Sequence, residues 1–142
     1  MTTVRHLAHA IGSTGSSTPA YQVDIRVGAH QLLGDEPAGA GGGDIGPSPF
    51  ELLASALAAC TATTLRMYAE RHGWELSTIS VEVRYDVDDD QRGTIERSIT
   101  VPPSLSGEQR EGLASIAERT PVTRAIRAGT PITTTMRQGT EG

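Results

Sequence analysis

Cys60 is the one thiol in a chain of 142 residues. Without a second cysteine it closes no intrachain disulfide, so it is either a small buried hydrophobe or a reactive thiol, and it fits a reducing compartment. A nucleophilic cysteine must be a thiolate, which calls for a nearby cation or a helix N-terminus. All twelve basic residues are Arg, so the cation is a guanidinium, and lysine Schiff-base and P-loop lysine chemistry are excluded. Arg66, Arg97 and Arg124 are the choices. Arg97 is the most suggestive, because it shares a strand face with Ile95 and Ile99. Glu51 supplies a carboxylate nine residues before Cys60, a spacing that puts the two on opposite sides of one helix. Glu51 is first of all a helix cap. An interface between subunits could still bring it to the partner's Cys60.

Other motifs lead nowhere. Gly41 to Gly46 fits G-x-G-x-x-G, but no βαβ unit surrounds it, so no dinucleotide cofactor is expected. His6 and His9 would point to opposite faces of a strand with no ligand cluster nearby, and Asp88 to Asp90 reads as a solvated turn, so no metal is expected. A net charge of -5 with no basic cluster argues against nucleic acid as a partner. No apolar run approaches the ~20 residues that span a bilayer, and Met1 to Ala10 lacks the apolar stretch of a signal peptide. The expectation is a cytoplasmic protein with no membrane partner.

The elements that must position these groups follow from periodicity. Thr3 to Ala10 is a weak strand candidate, and Gly12 to Pro19 reads as a turn. Tyr21, Val23, Ile25 and Val27 alternate with polar residues, as a half-buried strand requires. Gly28-Ala29 turns the chain into His30 to Gly34, and Asp35 to Gly46 reads as a glycine-rich, mobile loop. Ser48-Pro49-Phe50-Glu51 is a capping box with proline at N1. It opens a helix that runs to about His72 and stops at Gly73. Leu52 to Cys60 has only Leu, Ala, Ser and Cys, so that half of the helix should be buried all round, and the cover should come from a partner subunit. Thr63, Thr64 and Met67 share the Cys60 face. Ile79 to Val87 and Ile95 to Val101 alternate as a hairpin. Ser106 and Gln109 cap a second helix with Leu113 and Ile116 inward, Thr120-Pro121 caps a third to about Arg127, and a last strand is predicted at Thr130 to Arg137. Segregated strands and helices give an α+β class with antiparallel sheet. The organisation is a single domain over residues 1–142: strands and glycine loop in 1–47, central helix in 48–72, and strands, two helices and a final strand in 73–142.

Gly46-Pro-Ser-Pro-Phe-Glu-Leu-Leu, Ala58-Ala59-Cys60-Thr61 and Leu65-Arg66-Met67-Tyr68-Ala69 together resemble the OsmC/Ohr family of osmotically inducible and organic hydroperoxide resistance proteins. The likeness extends forward through Gly73-Trp74 to Ile116-Ala117-Glu118-Arg119-Thr120-Pro121-Val122 and back to Asp35-Glu36-Pro37. The resemblance implies an OsmC-like fold, with antiparallel sheets wrapped around a long central buried helix in an intertwined homodimer. It also implies that the cysteine matching Cys60 attacks an organic hydroperoxide and becomes a sulfenic acid, which a second cysteine resolves before dithiols reduce the pair. This chain departs from that pattern. Thr120-Pro121-Val122-Thr123 stands where the family usually has Cys-Pro-Val-His, so the resolving thiol is missing. Neither Gly12 to Pro19 nor Asp35 to Pro47 contains the activating arginine, and the family's carboxylate falls at Phe50, one place before Glu51. The implied activity is one-cysteine reduction of organic hydroperoxides, with Cys60, Glu51 and Arg97 as catalytic residues and an external thiol or dithiol as reductant. The alternative is a non-catalytic, stress-associated dimer that binds a small apolar ligand at the helix interface.

Overall fold

The computed structural model describes residues 2–140. Its elements, in chain order, are strands β1 (Ala10–Ser13), β2 (Val23–Val27) and β3 (His30–Gly34), helix α1 (Pro49–Arg71), strands β4 (Ser80–Val87) and β5 (Gly93–Thr100), and helices α2 (Gly107–Ala117) and α3 (Pro121–Ala128). A 3-10 turn lies at Ala38–Ala40. The class is α+β, with antiparallel sheet, as the segregated pattern requires. By contacts the chain forms two compact units: residues up to Ser55 with Arg84–Glu96, and Ala56–Val83 with Arg97 onward.

In the first unit β2 is the middle strand, with Ala10 opposite Val27 on one side and His30 opposite Val27 on the other. Gly28 holds φ +58 in the two-residue turn between β2 and β3, a conformation glycine adopts without steric cost. β1 corrects the sequence reading. The strand starts at Ala10 and passes through Gly12 and Ser13, where a turn was expected, because pairing with β2 outweighs the weak strand preference of small residues. The Asp35 to Gly46 loop follows β3. It is tied down by the buried Asp35 carboxylate, which accepts backbone N–H bonds from Glu36 (2.7 Å), Gly43 (3.2 Å) and Ile45 (3.3 Å). Asp88 closes the β4–β5 turn in the same manner, accepting from the N–H groups of Asp90 and Arg92, so the solvated turn expected there is present.

Helix α1 begins with the capping box read from the sequence. The Glu51 N–H donates to Ser48 Oγ (3.3 Å) and the Ser48 N–H donates to a Glu51 carboxylate oxygen (2.9 Å). Gly73, at φ +70, follows its end. The core of the second unit is Leu65 of α1 against Leu113 and Ala117 of α2, ringed by Tyr68, Trp74, Ile79, Ile99, Val101 and Ile116. Each such fully buried leucine contributes roughly 1.5–3 kcal/mol. Ser106 and Gln109 make the second capping box, again as read. Thr120 precedes α3, but its hydroxyl makes no cap to a backbone N–H; it is turned toward Thr123 instead.

One chain by itself covers one face of α1: within the helix Leu57, Thr61, Leu65 and Ala69 are buried, while Leu53, Ala56, Ala59 and Thr63 are exposed, so the all-round burial expected of its first half is a matter of the partner's cover and not of the single chain. Thr130 to Arg137 forms no strand. It pairs with no strand among the described residues, and Ile132 and Met136 are 87% and 92% exposed. By length and composition α1 is also apolar enough to cross a membrane, with mean hydropathy 1.2, a point the sequence reading missed. The same helix carries the core residues Leu65 and Tyr68 and ends in Glu70 and Arg71.

Candidate functional site

Cys60 sits three turns into α1 and is half-buried. Its Sγ lies 4.0 Å from Thr64 Oγ1, the outer limit of a sulfur hydrogen bond. The sequence placed Thr63, Thr64 and Met67 on this face; Thr64 makes the contact, and Thr63 and Met67 are exposed.

The next residue, Thr61, is fully buried and leads to a polar chain. Its hydroxyl donates to the Leu57 carbonyl one turn back (2.7 Å) and accepts from Arg97 Nη1 of β5 (3.0 Å). The same Nη1 donates to Thr123 Oγ1 (2.8 Å), Nη2 donates to the Ala117 carbonyl (2.9 Å), and the hydroxyls of Thr123 and Thr120 are 2.6 Å apart. One guanidinium thus joins α1, β5, the end of α2 and the start of α3. Burial of four polar groups is tolerable here because each finds a partner, and no buried side-chain polar atom among the described residues lacks one.

The electrostatics of Arg97 are unusual. Its side chain is 11% exposed and its hydrogen-bond partners are neutral oxygens. The nearest carboxylate, Glu118, is 3.9 Å away, is 56% exposed, and also pairs with Arg127. Arg127's hydrogen bond is the main reason the Glu118 carboxyl lies below its ordinary value of 4.5; slight desolvation opposes this, and the charges of Arg127 and Arg97 add to it. The Arg97 charge is therefore only partly neutralised.

Of the other sequence candidates, Arg66 is spent on an exposed i,i+4 pair with Glu70 (3.1 Å). Glu51 is the cap at the helix start, its carboxyl held below the ordinary 4.5 first by the Ser48 backbone bond and then by the Ser48 side chain. Phe50, at the place matched to the family's carboxylate, instead packs its ring 4.7 Å from that of Tyr85. Gly93 makes room for that tyrosine, since a Cβ there would lie 2.2 Å from its hydroxyl. Among the described residues no three His, Cys, Asp or Glu side chains could hold a metal ion. Sequence reasoning singled out Arg97 but missed its partners Thr61, Thr120 and Thr123; three threonines in an otherwise apolar core are a signal only once tertiary pairing is known.

A small antiparallel sheet, a long cysteine-bearing helix, a hairpin and two short helices define an OsmC-like α+β protein. The OsmC-like protein family matches residues 41–135, and the chain belongs to that family. Its fold is similar to that of the organic hydroperoxide resistance protein OsmC from Legionella pneumophila, at 21% identity and a TM-score of 0.64 over 88% of this chain and 92% of that one. An OsmC-like protein from Mycoplasma pneumoniae is similar at 15% identity and a TM-score of 0.68, over 87% and 89%. The organic hydroperoxide resistance protein OhrB of Bacillus subtilis is similar at 25% identity and a TM-score of 0.60, over 86% and 91%. No curated relative matches the chain.

Proposed function

We propose that this protein reduces small organic hydroperoxides as a one-cysteine thiol peroxidase. The observation that carries the reading is the half-buried Cys60, beside a threonine bonded to a buried arginine whose charge is only partly neutralised. The Cys60 thiolate attacks one peroxide oxygen, the O–O bond breaks, and the alkoxide leaves as the alcohol after taking a proton. Cys60 is left as the sulfenic acid. An external thiol then condenses with it, releasing water and forming a mixed disulfide, and a second thiol of that reductant displaces Cys60 as a thiolate. An unpaired thiol that depends on such reductants suits a reducing, cytoplasmic setting.

The working unit in this reading is a homodimer. Leu53, Ala56, Cys60, Thr63 and Met67 recur at alternating steps of three and four along α1, the spacing of a helix-packing seam, and all but Cys60 are exposed in the single chain. A second α1 laid on that seam buries it, and Glu51 of the opposite helix then has a route to Cys60 that one subunit denies it. Light scattering on the purified protein should give a dimer, and a stable monomer would remove this arrangement.

The activity is tested by dimedone trapping and mass spectrometry after one equivalent of cumene hydroperoxide, with hydrogen peroxide run in parallel. Rapid labelling of Cys60 by the organic peroxide supports the reading; an unlabelled thiol makes Cys60 a packing residue. The threonine at the resolving position favours the second reading, a stress-associated dimer that holds a small apolar ligand at the helix seam without turnover, and the unlabelled outcome selects it.

A further inference from the structure

A cleft of about 340 Å³ lies within the second unit, between the end of β5 and α2. Its volume is at the lower end of the roughly 300–1,000 Å³ of small-molecule sites. Leu65 and Leu113, both core residues, close its floor. Ile99 and Val101 are half-buried along it, and Ala114 of α2 is exposed at its rim. Leu65 also places the cleft relative to the exposed seam of α1. It lies two residues before Met67, roughly 200° around the helix. A second α1 laid over Leu53 to Met67 therefore covers the far side of the helix, and the Leu65 side is left to the chain's own β5 and α2.

One charged group lines this cleft, Arg110, three residues after the start of α2 at Gly107. It is exposed, and the ion pairs among the described residues are made by Arg66, Arg84, Arg92, Arg97 and Arg127, so it has no carboxylate partner there. The helix gives it no support either, because the peptide dipoles present positive charge near an N-terminus and disfavour a cation. Glu108 and Glu111, its neighbours on α2, do not line the cleft, whereas Thr100 does and offers a hydroxyl. An apolar cleft with a guanidinium at its rim repels cations and complements an anion with a hydrocarbon body. A carboxylate suits it best, since its two oxygens can accept parallel bonds from the planar fork of an arginine.

We infer that this cleft binds a small apolar carboxylate, whose charged end meets Arg110 at the rim while its hydrocarbon part packs on Ile99, Val101 and Ala114 above the floor of Leu65 and Leu113. The site does not involve Cys60 and needs no peroxidase activity.

Octanoate, octanol and octylamine share a chain and differ in charge, and the test titrates each into the full-length protein, read by calorimetry and by the methyl resonances of Ile99 and Val101. Octanoate is expected to bind saturably and shift both residues, about tenfold more tightly than the alcohol, the scale of one charge-assisted hydrogen bond; the amine should not bind. Arg110→Gln, at an exposed position, should bring octanoate down to the level of the alcohol and leave the alcohol unchanged. Ala114→Phe, with its fold checked by circular dichroism, should abolish both. Cys60→Ser should bind octanoate as the parent does. No saturable binding of octanoate, equal affinity for octanoate and octanol, or shifts confined to Leu53 and Met67 on the α1 seam would each overturn the inference. Loss of binding in Cys60→Ser would overturn it too, by placing the ligand at the thiol. Arg110→Gln decides the charge argument even if Ala114→Phe fails to fold.

Discussion

The guanidinium of Arg97 and the hydroxyl of Thr61, 36 residues apart in sequence, lie 3.0 Å from each other, and the same nitrogen reaches Thr123 at 2.8 Å. Removing the guanidinium leaves the Thr61 and Thr123 hydroxyls and the Ala117 carbonyl without their donor in a buried setting. Arg97→Met should therefore cost about 2–4 kcal/mol in urea denaturation, the range for breaking a buried polar network. Arg97→Lys should recover part of it, since an ammonium offers donors but not the planar fork. If Arg97 also favours the Cys60 thiolate, dimedone labelling at neutral pH should slow at least about tenfold in Arg97→Met under folding conditions and less in Arg97→Lys. Unchanged labelling in a folded Arg97→Met would make the arginine a purely structural tie.

Thr120 occupies the place of the missing thiol, is fully buried, and connects through Thr123 and Arg97 to the residue beside Cys60. Cysteine is close to threonine in volume, so Thr120→Cys should fold, at a modest cost from the lost Thr123 contact. One equivalent of cumene hydroperoxide should then yield an internal Cys60–Thr120→Cys disulfide, seen as loss of dimedone labelling with loss of two hydrogens from the intact mass. Continued labelling of Cys60 would show that the new thiol lies out of reach.

What the sequence revealed was what neighbouring residues decide among themselves. Ser48 with Glu51 and Ser106 with Gln109 are three residues apart, so their capping boxes are written locally, and the structure has both. The alternation in Val23–Val27 and Ser80–Val87 depends on one side of a strand being covered, and both strands are present. Asp35, Thr61 and Thr123 were not legible, because their partners come from the far end of a loop or from other elements 10 to 36 residues away. A polar residue in an apolar run does not announce which distant donor will satisfy it. The final strand at Thr130 to Arg137 was misjudged for the converse reason: alternation shows that a segment could pair, and does not by itself bring it to a sheet edge.

The glycine loop should resist alanine at one position above all. A Cβ on Gly42 would lie 2.0 Å from the Glu36 carbonyl oxygen, which is backbone and cannot swing away, whereas Gly39 has open space around it. Gly42→Ala should lower stability by about 2 kcal/mol or more and Gly39→Ala by little, measured as urea midpoints. Asp35→Asn should raise amide hydrogen exchange at Gly43 and Ile45, whose N–H groups the carboxylate now accepts. Slow exchange at both in Asp35→Asn would assign the order of the loop to its 3-10 turn instead.

The acid limb of stability should carry the signature of Glu51. Its carboxyl lies below the ordinary 4.5 in the folded chain because the Ser48 N–H donates to the charged form. A depressed folded value means that the contribution is complete above the unfolded value and is lost as pH falls through the folded one. Gln at the same position can still receive the Ser48 N–H, so Glu51→Gln removes the charge while leaving a neutral capping box. The variant should melt below the parent near neutral pH, where the parent's carboxylate also complements the positive end of α1, and the two melting temperatures should converge by about pH 3. Glu118→Gln should show a convergence of the same sign, since Arg127 lowers that carboxyl too, but its neutral-pH difference should shrink in high salt as an exposed ion pair does. The Glu51 difference should shrink only in part, because the Ser48 N–H donates a stronger, charge-assisted bond to the carboxylate than to the Gln carbonyl, and a bond at contact distance is screened less than the field of the helix end. Melting curves for the three proteins between about pH 3 and pH 7, with and without ~1 M salt, separate the two contributions; a Glu51→Gln difference that salt abolishes would show that the capping bond is not what lowers the carboxyl.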